Sequence, residues 1–142
     1  MTKADIPPPI RIAVVEDNPA DVYILRKALQ KIGLRFTVDH LQDGEAALDF
    51  FLRQGKYAAA QSPDVVILDL NLPRINGDEI LRRIRLSPDL RDLPVIVLST
   101  SDAAEDRQKM AALGVASYFV KSGDLSIYLA VGRAIQKMMN QE

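Results

Sequence analysis

The chain has 142 residues, of which 48% are hydrophobic and 26% charged, so it is expected to fold as one soluble globular domain rather than stay disordered. It has no cysteine and one histidine, which excludes disulfide scaffolds, thiol catalysis and histidine-rich zinc sites. Its 18 basic and 19 acidic residues give a net charge of −1, so nothing in the charge balance indicates binding to nucleic acid or to an anionic membrane. No apolar run approaches the roughly 20 residues of a membrane span, and no signal segment opens the chain. We therefore expect a cytoplasmic domain.

The predicted elements alternate between short apolar strands and amphipathic helices. The strands are expected at residues 10–15, 35–41, 65–68, 94–98 and 116–120. A helix is predicted after each strand, and the last one runs to about residue 139. Asn18 and Asp43 have the side chains that open helices, and Gly33 and Gly114 are the residue type that ends them. A loop or frayed helix end is expected over residues 57–63.

This order of elements predicts an α/β fold. Continuous apolar strands that alternate with helices are typical of a doubly wound parallel sheet, here five-stranded and covered on both faces by five helices. Residues 1–9 are expected to be a flexible tail, because consecutive prolines at residues 7–9 fit neither a helix nor a central strand. The domain is then expected over residues 10–142.

Unusual polar residues lie just past the ends of the predicted strands. Glu16 and Asp17 follow the first strand, Asp69 the third, Ser99 the fourth and Lys121 the fifth. In an open parallel sheet the binding crevice lies outside the carboxyl ends of the strands, so we expect these side chains to converge. Three converging carboxylates would repel one another unless a cation joined them, and oxygen ligands suit Mg²⁺. The set therefore indicates a phosphoryl-transfer site in which Asp69 is the candidate nucleophile.

Other ways of binding phosphate fit the sequence less well. Neither the glycine-rich P-loop motif nor the dinucleotide-binding motif G-x-G-x-x-G follows the first strand. Acidic residues at that turn would also repel a pyrophosphate group.

Four segments closely resemble the receiver domain of two-component response regulators. They are V-V-E-D-N-P at residues 14–19, V-V-I-L-D-L-N-L-P at 65–73, P-V-I-V-L-S-T at 94–100 and Y-F-V-K at 118–121. The likeness runs from about residue 10 to residue 139, and details of the loops look most like the small stand-alone receivers paired with bacterial phytochrome kinases. It implies a flavodoxin-like sheet with strand order 2-1-3-4-5.

The resemblance also implies a role for each site residue. By position, Asp69 is the phosphoacceptor and Lys121 is the partner of the phosphoryl group. Asp17 is a direct metal ligand, Glu16 binds the metal largely through water, and Asn71 binds it through its backbone carbonyl. Ser99 is the switch hydroxyl, and Tyr118 is the aromatic residue that moves inward. The implied metal is Mg²⁺, for which Mn²⁺ can substitute. The implied reaction is transfer from a phosphohistidine of a sensor histidine kinase, followed by slow hydrolysis, in a signalling domain rather than an enzyme.

The resemblance also implies two interaction surfaces. The kinase is expected to meet the first helix near Asn18, Pro19, Asp21 and Ile24, together with the loop after Lys121. The last helix carries two apolar stripes, one with Leu125, Leu129 and Gly132 and the other with Tyr128, Val131, Ile135 and Met138. They either pack inside the domain or form part of a homodimer face built from the fourth helix, last strand and last helix. Since no output domain follows residue 142, signalling is expected to pass through noncovalent contacts.

Two positions depart from the family pattern. Ser122 stands where proline usually follows the lysine, so a trans peptide bond is expected there. Thr100 stands where a smaller residue is common. The single histidine, His40, is expected to be structural or exposed, on the second strand and away from the site.

Two alternatives belong to other functional classes. A Mg²⁺-dependent nucleic-acid enzyme of the Toprim type also places acids after its strands, but it needs D-x-D where this chain has Asp69 and Asn71, and it predicts a basic groove. A receiver-like adaptor that works without phosphorylation is the other alternative, and the complete set of site residues argues against it.

Overall fold

Five parallel strands form one sheet in the computed structural model, which describes residues 6–141. The strands are β1 (Ile10–Val15), β2 (Phe36–Leu41), β3 (Val65–Leu68), β4 (Val95–Ser99) and β5 (Ser117–Val120). Their spatial order is β2-β1-β3-β4-β5, so the predicted flavodoxin-like order is confirmed. The register places Val14 beside Ile67, Ile67 beside Ile96 and Ile96 beside Ser117, which aligns the carboxyl ends of the strands along one edge.

Five helices connect and cover the strands. They are α1 (Pro19–Lys31), α2 (Gly44–Phe51), α3 (Gly77–Leu86), α4 (Ala104–Ala112) and α5 (Leu125–Met138). The Asn18 side chain accepts a hydrogen bond from the amide of Ala20 at 2.9 Å, and Asp43 caps α2 in the same manner. Gly33 and Gly114 follow α1 and α4 with φ of 78° and 73°, as their predicted role as helix stops requires. A short 3-10 helix, Gly55–Tyr57, ends at the first residue of the predicted loop.

The core has two halves, one on each face of the sheet. Alternate strand residues point to opposite faces, so Ala13 and Val15 pack towards α2, α3 and α4, while Ile12 and Val14 pack towards α1 and α5. The central strands β1, β3 and β4 are almost completely buried. This rigid sheet fixes the positions from which the polar residues of the next turns project.

The apolar surface of α5 is used mainly inside the domain. Tyr128, Val131 and Ile135 are at most 3% exposed, so packing in the core accounts for most of their stripe. Gly132 lies against α1, where an added Cβ would come within 2.8 Å of an isoleucine side chain. Leu125 is 40% exposed at the start of the helix.

The predicted tail is described only from Ile6, and residues 1–5 lie outside the described residues. Residues 6–9 are exposed, and the carbonyl of Pro7 accepts a hydrogen bond from the guanidinium of Arg35. Among residues 6–141, no helix has the length and apolar character needed to cross a membrane.

Candidate functional site

The carboxyl edge of the sheet brings the predicted acidic residues together. Glu16 and Asp17 follow β1, and Asp69 follows β3, which is the neighbour of β1. One carboxylate oxygen from each of the three lies within 4.8 Å of the other two. Glu16 and Asp69 are buried and Asp17 is exposed, so the cluster opens to solvent on one side. The convergence expected from the sequence is therefore present in the structure.

The loop after β3 holds the Asp69 carboxylate in a fixed position. The amide of Asn71 donates to Asp69 Oδ1 at 3.1 Å, and the amide of Gly77 donates to the carbonyl of Leu70 at 3.1 Å. Gly77 packs so closely that an added Cβ would lie 2.5 Å from the Asp69 carbonyl oxygen. Glycine is thus required at position 77 by this close approach of two backbone segments.

Lys121 lies among three carboxylates. Its ammonium donates to Glu16 Oε1, to Asp21 Oδ2 at 2.9 Å and to Asp69 Oδ2 at 3.1 Å. The lysine side chain is 9% exposed, so these ion pairs are largely shielded from water. The amide of Lys121 also donates to the carbonyl of Ser99 at 2.8 Å, which fixes the start of the loop after β5. The Lys121 ammonium is therefore in direct contact with the candidate phosphoacceptor Asp69.

Asp21 was expected on the kinase-facing surface and is also a member of this site. It lies in the first turn of α1, which begins two residues after Asp17, and its Oδ2 accepts a hydrogen bond from the Lys121 ammonium. An acidic residue in the first helical turn after Glu16 and Asp17 is the signal that the sequence offers for its place in the site.

The electrostatics of the cluster favour binding of a cation. Burial raises the pKa of Glu16 to about 8, and the charge of Asp69 acts in the same direction, although the hydrogen bond from Lys121 opposes both. Burial alone would lower the pKa of Lys121, but its hydrogen bonds to Glu16 and Asp21 outweigh that effect and raise the pKa. The donor set consists of three close carboxylates, which suits a hard divalent cation. The residues present therefore fit a divalent metal site.

Ser99 ends β4 as a fully buried hydroxyl. Its Oγ accepts a hydrogen bond from the amide of Ser101 at 3.3 Å. The side-chain amide of Asn71 lies 3.5 Å from Ser99 Oγ and donates to Thr100 Oγ1 at 3.2 Å. Asn71, which sequence reasoning considered only for its carbonyl, thus links the loops after β3 and β4 through its side chain.

Tyr118 contacts the same loop from β5. Its hydroxyl donates to the carbonyl of Ser101 at 2.8 Å, and its ring lies under the guanidinium of Arg107, 4.7 Å from the ring centroid. Arg107 is in turn paired with Asp102 at 2.8 Å. Tyr118 is half-buried, and this burial raises its pKa. Two residues after Ser99, the loop is therefore in direct contact with the predicted switch aromatic.

The prediction that His40 lies away from the site is wrong, although its place on the second strand is confirmed. His40 lies on β2 beside Val14, and its Nε2 is 2.7 Å from the backbone carbonyl oxygen of Glu16. Because β2 is the neighbour of β1, its last residues reach the turn that carries Glu16. The histidine supports the backbone of this turn.

The loop after β5 has the geometry expected from its sequence. Among the described residues no peptide bond is cis, so Lys121 and Ser122 are joined by a trans bond, as expected. Gly123 follows with φ of 75°, and Asp124 caps α5 through the amide of Ser126 at 3.2 Å.

The fold and this site define a signalling receiver domain. The sequence model of the response regulator receiver domain family matches residues 12–130, and the chain belongs to this family. The family assignment leaves no support for the Toprim-type alternative.

Similar proteins include several linked by name to phytochromes. Response regulator Rcp1 of Synechocystis sp. is 39% identical over 122 residues, covering 83% of this chain and 80% of that protein. The crystal structure of the phosphorylated cyanobacterial phytochrome response regulator RcpA is 36% identical, with a TM-score of 0.83 over 92% of this chain and 93% of that one. The Mn²⁺-bound form of Rcp1 is 34% identical, with a TM-score of 0.83 over 92% of this chain and 94% of that one. The bacteriophytochrome response regulator AtBRR is 36% identical, with a TM-score of 0.75 over 92% of each chain.

Proposed function

We propose that Asp69 accepts a phosphoryl group from a phosphohistidine of a sensor histidine kinase. The observation that carries this proposal is the position of Asp69, which lies in the acidic cluster with the Lys121 ammonium 3.1 Å from its Oδ2. One carboxylate oxygen of Asp69 is thus paired with a cation, and the other is fixed by the amide of Asn71. A nucleophile held in this way needs little reorganisation before it reacts.

The transfer exchanges one bond to phosphorus for another. A carboxylate oxygen of Asp69 attacks the phosphorus, the bond from phosphorus to the donor nitrogen breaks, and the electron pair leaves with the imidazole. The product is an acyl phosphate, which water later hydrolyses to the carboxylate and inorganic phosphate. Lys121 is placed to donate to a phosphoryl oxygen and so to stabilise the charge that develops there. The chain promotes its own phosphorylation and slow dephosphorylation and does not turn over a separate substrate.

We propose Mg²⁺ as the metal, with Mn²⁺ able to replace it. The carboxylates of Glu16, Asp17 and Asp69 and the backbone carbonyl of Asn71 are the ligands that would hold it. When bound, the cation supplies charge neutralisation to the phosphoryl oxygens. Rcp1 has been crystallised in a Mn²⁺-bound form, and this likeness supports a divalent metal in the acidic cluster of this chain.

The phosphorylated state is proposed to change the surface formed by α4, β5 and α5. A phosphoryl group on Asp69 would offer the Ser99 hydroxyl a strong acceptor, and Ser99 now accepts from the amide of Ser101. Movement of Ser99 would therefore displace Ser101, whose carbonyl holds the Tyr118 hydroxyl. The same surface is the proposed homodimer face, and exposure of Leu125 supports it.

A bacterial phytochrome kinase is the proposed donor, acting in the cytoplasm. The support is likeness to proteins whose names include phytochrome or bacteriophytochrome. Purified phytochrome kinase, autophosphorylated with labelled ATP, should pass its label to this chain faster than to an unrelated receiver. If the label passes to this chain no faster than to the unrelated receiver, the phytochrome pairing is refuted and the phosphoacceptor proposal stays in place.

The direct test of the phosphoacceptor is intact mass after incubation with Mg²⁺ and acetyl phosphate. We expect one added phosphoryl group on the wild type, none on Asp69→Asn and none when EDTA is present. Asp49→Asn is a matched control, because this aspartate is exposed on α2 and should not affect the adduct. An adduct retained by Asp69→Asn would refute the assignment. Absence of both the adduct and Mg²⁺ binding in the wild type would favour the phosphorylation-independent adaptor.

A further inference from the structure

Asp21 differs from the other two acidic partners of Lys121 because it is not one of the candidate metal ligands. Within residues 6–141, the lysine ammonium contacts Glu16, Asp21 and Asp69. Glu16 and Asp69 also belong to the acidic cluster that fits a metal, whereas Asp21 does not. With a cation and a phosphoryl group in the site, Glu16 and Asp69 would have other partners. The Oδ2 atom of Asp21, 2.9 Å from the ammonium, is then the acceptor that stays free to bind Lys121.

Asp21 is itself held from the opposite side. Its second carboxylate oxygen accepts a hydrogen bond from the hydroxyl of Tyr128 at 3.4 Å. Tyr128 lies on α5 and is 3% exposed, so its ring is fixed by the core. The side chain of Asp21 is 23% exposed, against 78% for the exposed Glu105 of α4, which forms an ion pair in solvent. The two oxygens of Asp21 thus join α5 on one side to Lys121 on the other.

We propose that Asp21 is a positioning residue for phosphoryl transfer, because it keeps the Lys121 ammonium at the edge of the site in the metal-bound and phosphorylated states. The inference rests on the proposed function, in which Asp69 is the acceptor. A lysine side chain has a flexible four-carbon stem, and holding it in one geometry costs conformational entropy. An anchor that is present before the reaction removes this cost from the transfer step.

The first test is the initial rate of phosphorylation by acetyl phosphate at saturating Mg²⁺. Asp21→Ala should lower this rate about tenfold, while Asp49→Ala, which removes the same charge from an exposed position on α2, should leave it unchanged. Asp21→Asn has the same shape and can still accept from Tyr128, so it rescues a purely structural role but not an ionic anchor. We expect Asp21→Asn to stay close to Asp21→Ala, with a melting temperature close to that of the wild type.

A double-mutant cycle distinguishes action through Lys121 from an independent effect. In a Lys121→Ala background, Asp21→Ala should cause no further loss of rate, because the group that it positions is absent. An equal tenfold loss in that background would overturn the inference, as would full rescue by Asp21→Asn.

A second readout does not need phosphorylation. The Lys121 ¹⁵Nζ signal should show ammonium protons protected from exchange in the wild type and in Asp49→Ala, with and without Mg²⁺. In Asp21→Ala the protection should be lost once Mg²⁺ is added. Unchanged protection in Asp21→Ala, or no protection in the wild type, would overturn the inference. A wild-type chain that shows the protected signal but takes no phosphoryl group would refute the proposed function and leave the anchoring role standing.

Discussion

Binding of a divalent cation should strengthen as the pH rises, because Glu16 must lose its proton to act as a ligand. Burial raises the pKa of this carboxyl to about 8. With that pKa, about one molecule in ten carries an ionised Glu16 at pH 7 and about nine in ten do at pH 9. The apparent association constant for Mg²⁺ should therefore rise about tenfold over this interval.

Isothermal titration calorimetry at several pH values in one buffer series would measure this slope. Glu16→Gln removes the titrating group and keeps the side-chain volume, so its weaker affinity should be nearly constant with pH. Glu45→Gln is the matched control, since Glu45 is exposed on α2 and its loss should leave the slope intact. His40→Asn is the second control. It removes the ring that contacts the backbone carbonyl of Glu16 but keeps the Glu16 carboxyl, so the slope should remain. A wild-type affinity that is flat between pH 7 and 9, or a slope retained in Glu16→Gln, would refute the reasoning.

The raised pKa of Glu16 has the opposite effect on the folding stability of the metal-free protein, which should decrease as the pH rises. The folded chain holds a proton on Glu16 that the unfolded chain releases above its ordinary pKa of 4.5, so stability should fall as the pH rises from about 4.5 to about 8. Lys121 does not alter this window, because the stability from its raised pKa is fully present below the ordinary value of 10.5. Thermal melts in EDTA should show the decline in the wild type and a flatter profile in Glu16→Gln.

Three further substitutions test the loop after β3, the proposed switch residue Tyr118 and the proposed homodimer face. Gly77→Ala should reduce both thermal stability and phosphorylation, because its Cβ would meet the Asp69 carbonyl at 2.5 Å, whereas Gly33→Ala, with φ of 78° and open space around it, should reduce stability alone. Tyr118→Phe loses one hydrogen bond and should cost about 1 kcal/mol in urea unfolding; an unchanged midpoint would contradict this. Leu125→Glu should weaken any homodimer detected by light scattering, and a strictly monomeric phosphorylated wild type would remove that face from consideration.

The fold could be predicted from the sequence because its pattern is nearly free of conflict. Continuous apolar runs such as Val65–Leu68 can only be buried on both faces, and each is followed by a helix. Side chains cap the N-termini of α1, α2 and α5. The strand order, however, came from the likeness of four motifs to a family. Periodicity alone does not tell which strand lies beside which.

The site could be predicted in its backbone frame but not in its side-chain contacts. Residues directly after the strands must lie at one edge of a parallel sheet, so the convergence of Glu16, Asp69 and Lys121 followed from position alone. Asp21 and the side chain of Asn71 were missed because their contacts depend on how a helix and a loop turn towards the crevice. His40 lies on the predicted strand, but its contact with the site does not follow from the sequence, because it depends on β2 being the neighbour of β1.

Two hydrogen-bonded paths lead from Asp69 to β5 and α5, two of the elements that build the face proposed to signal. One runs from Asp69 through Asn71 to Ser99, and then through the amide and carbonyl of Ser101 to the Tyr118 hydroxyl on β5. The other runs through Lys121 and Asp21 to the hydroxyl of Tyr128 on α5. They differ in how much they can move, since Tyr118 is half-buried on an edge strand and Tyr128 is fixed in the core. A charge change at Asp69 should therefore be converted into motion at Tyr118, while the path through Asp21 resists displacement and keeps the reacting groups aligned.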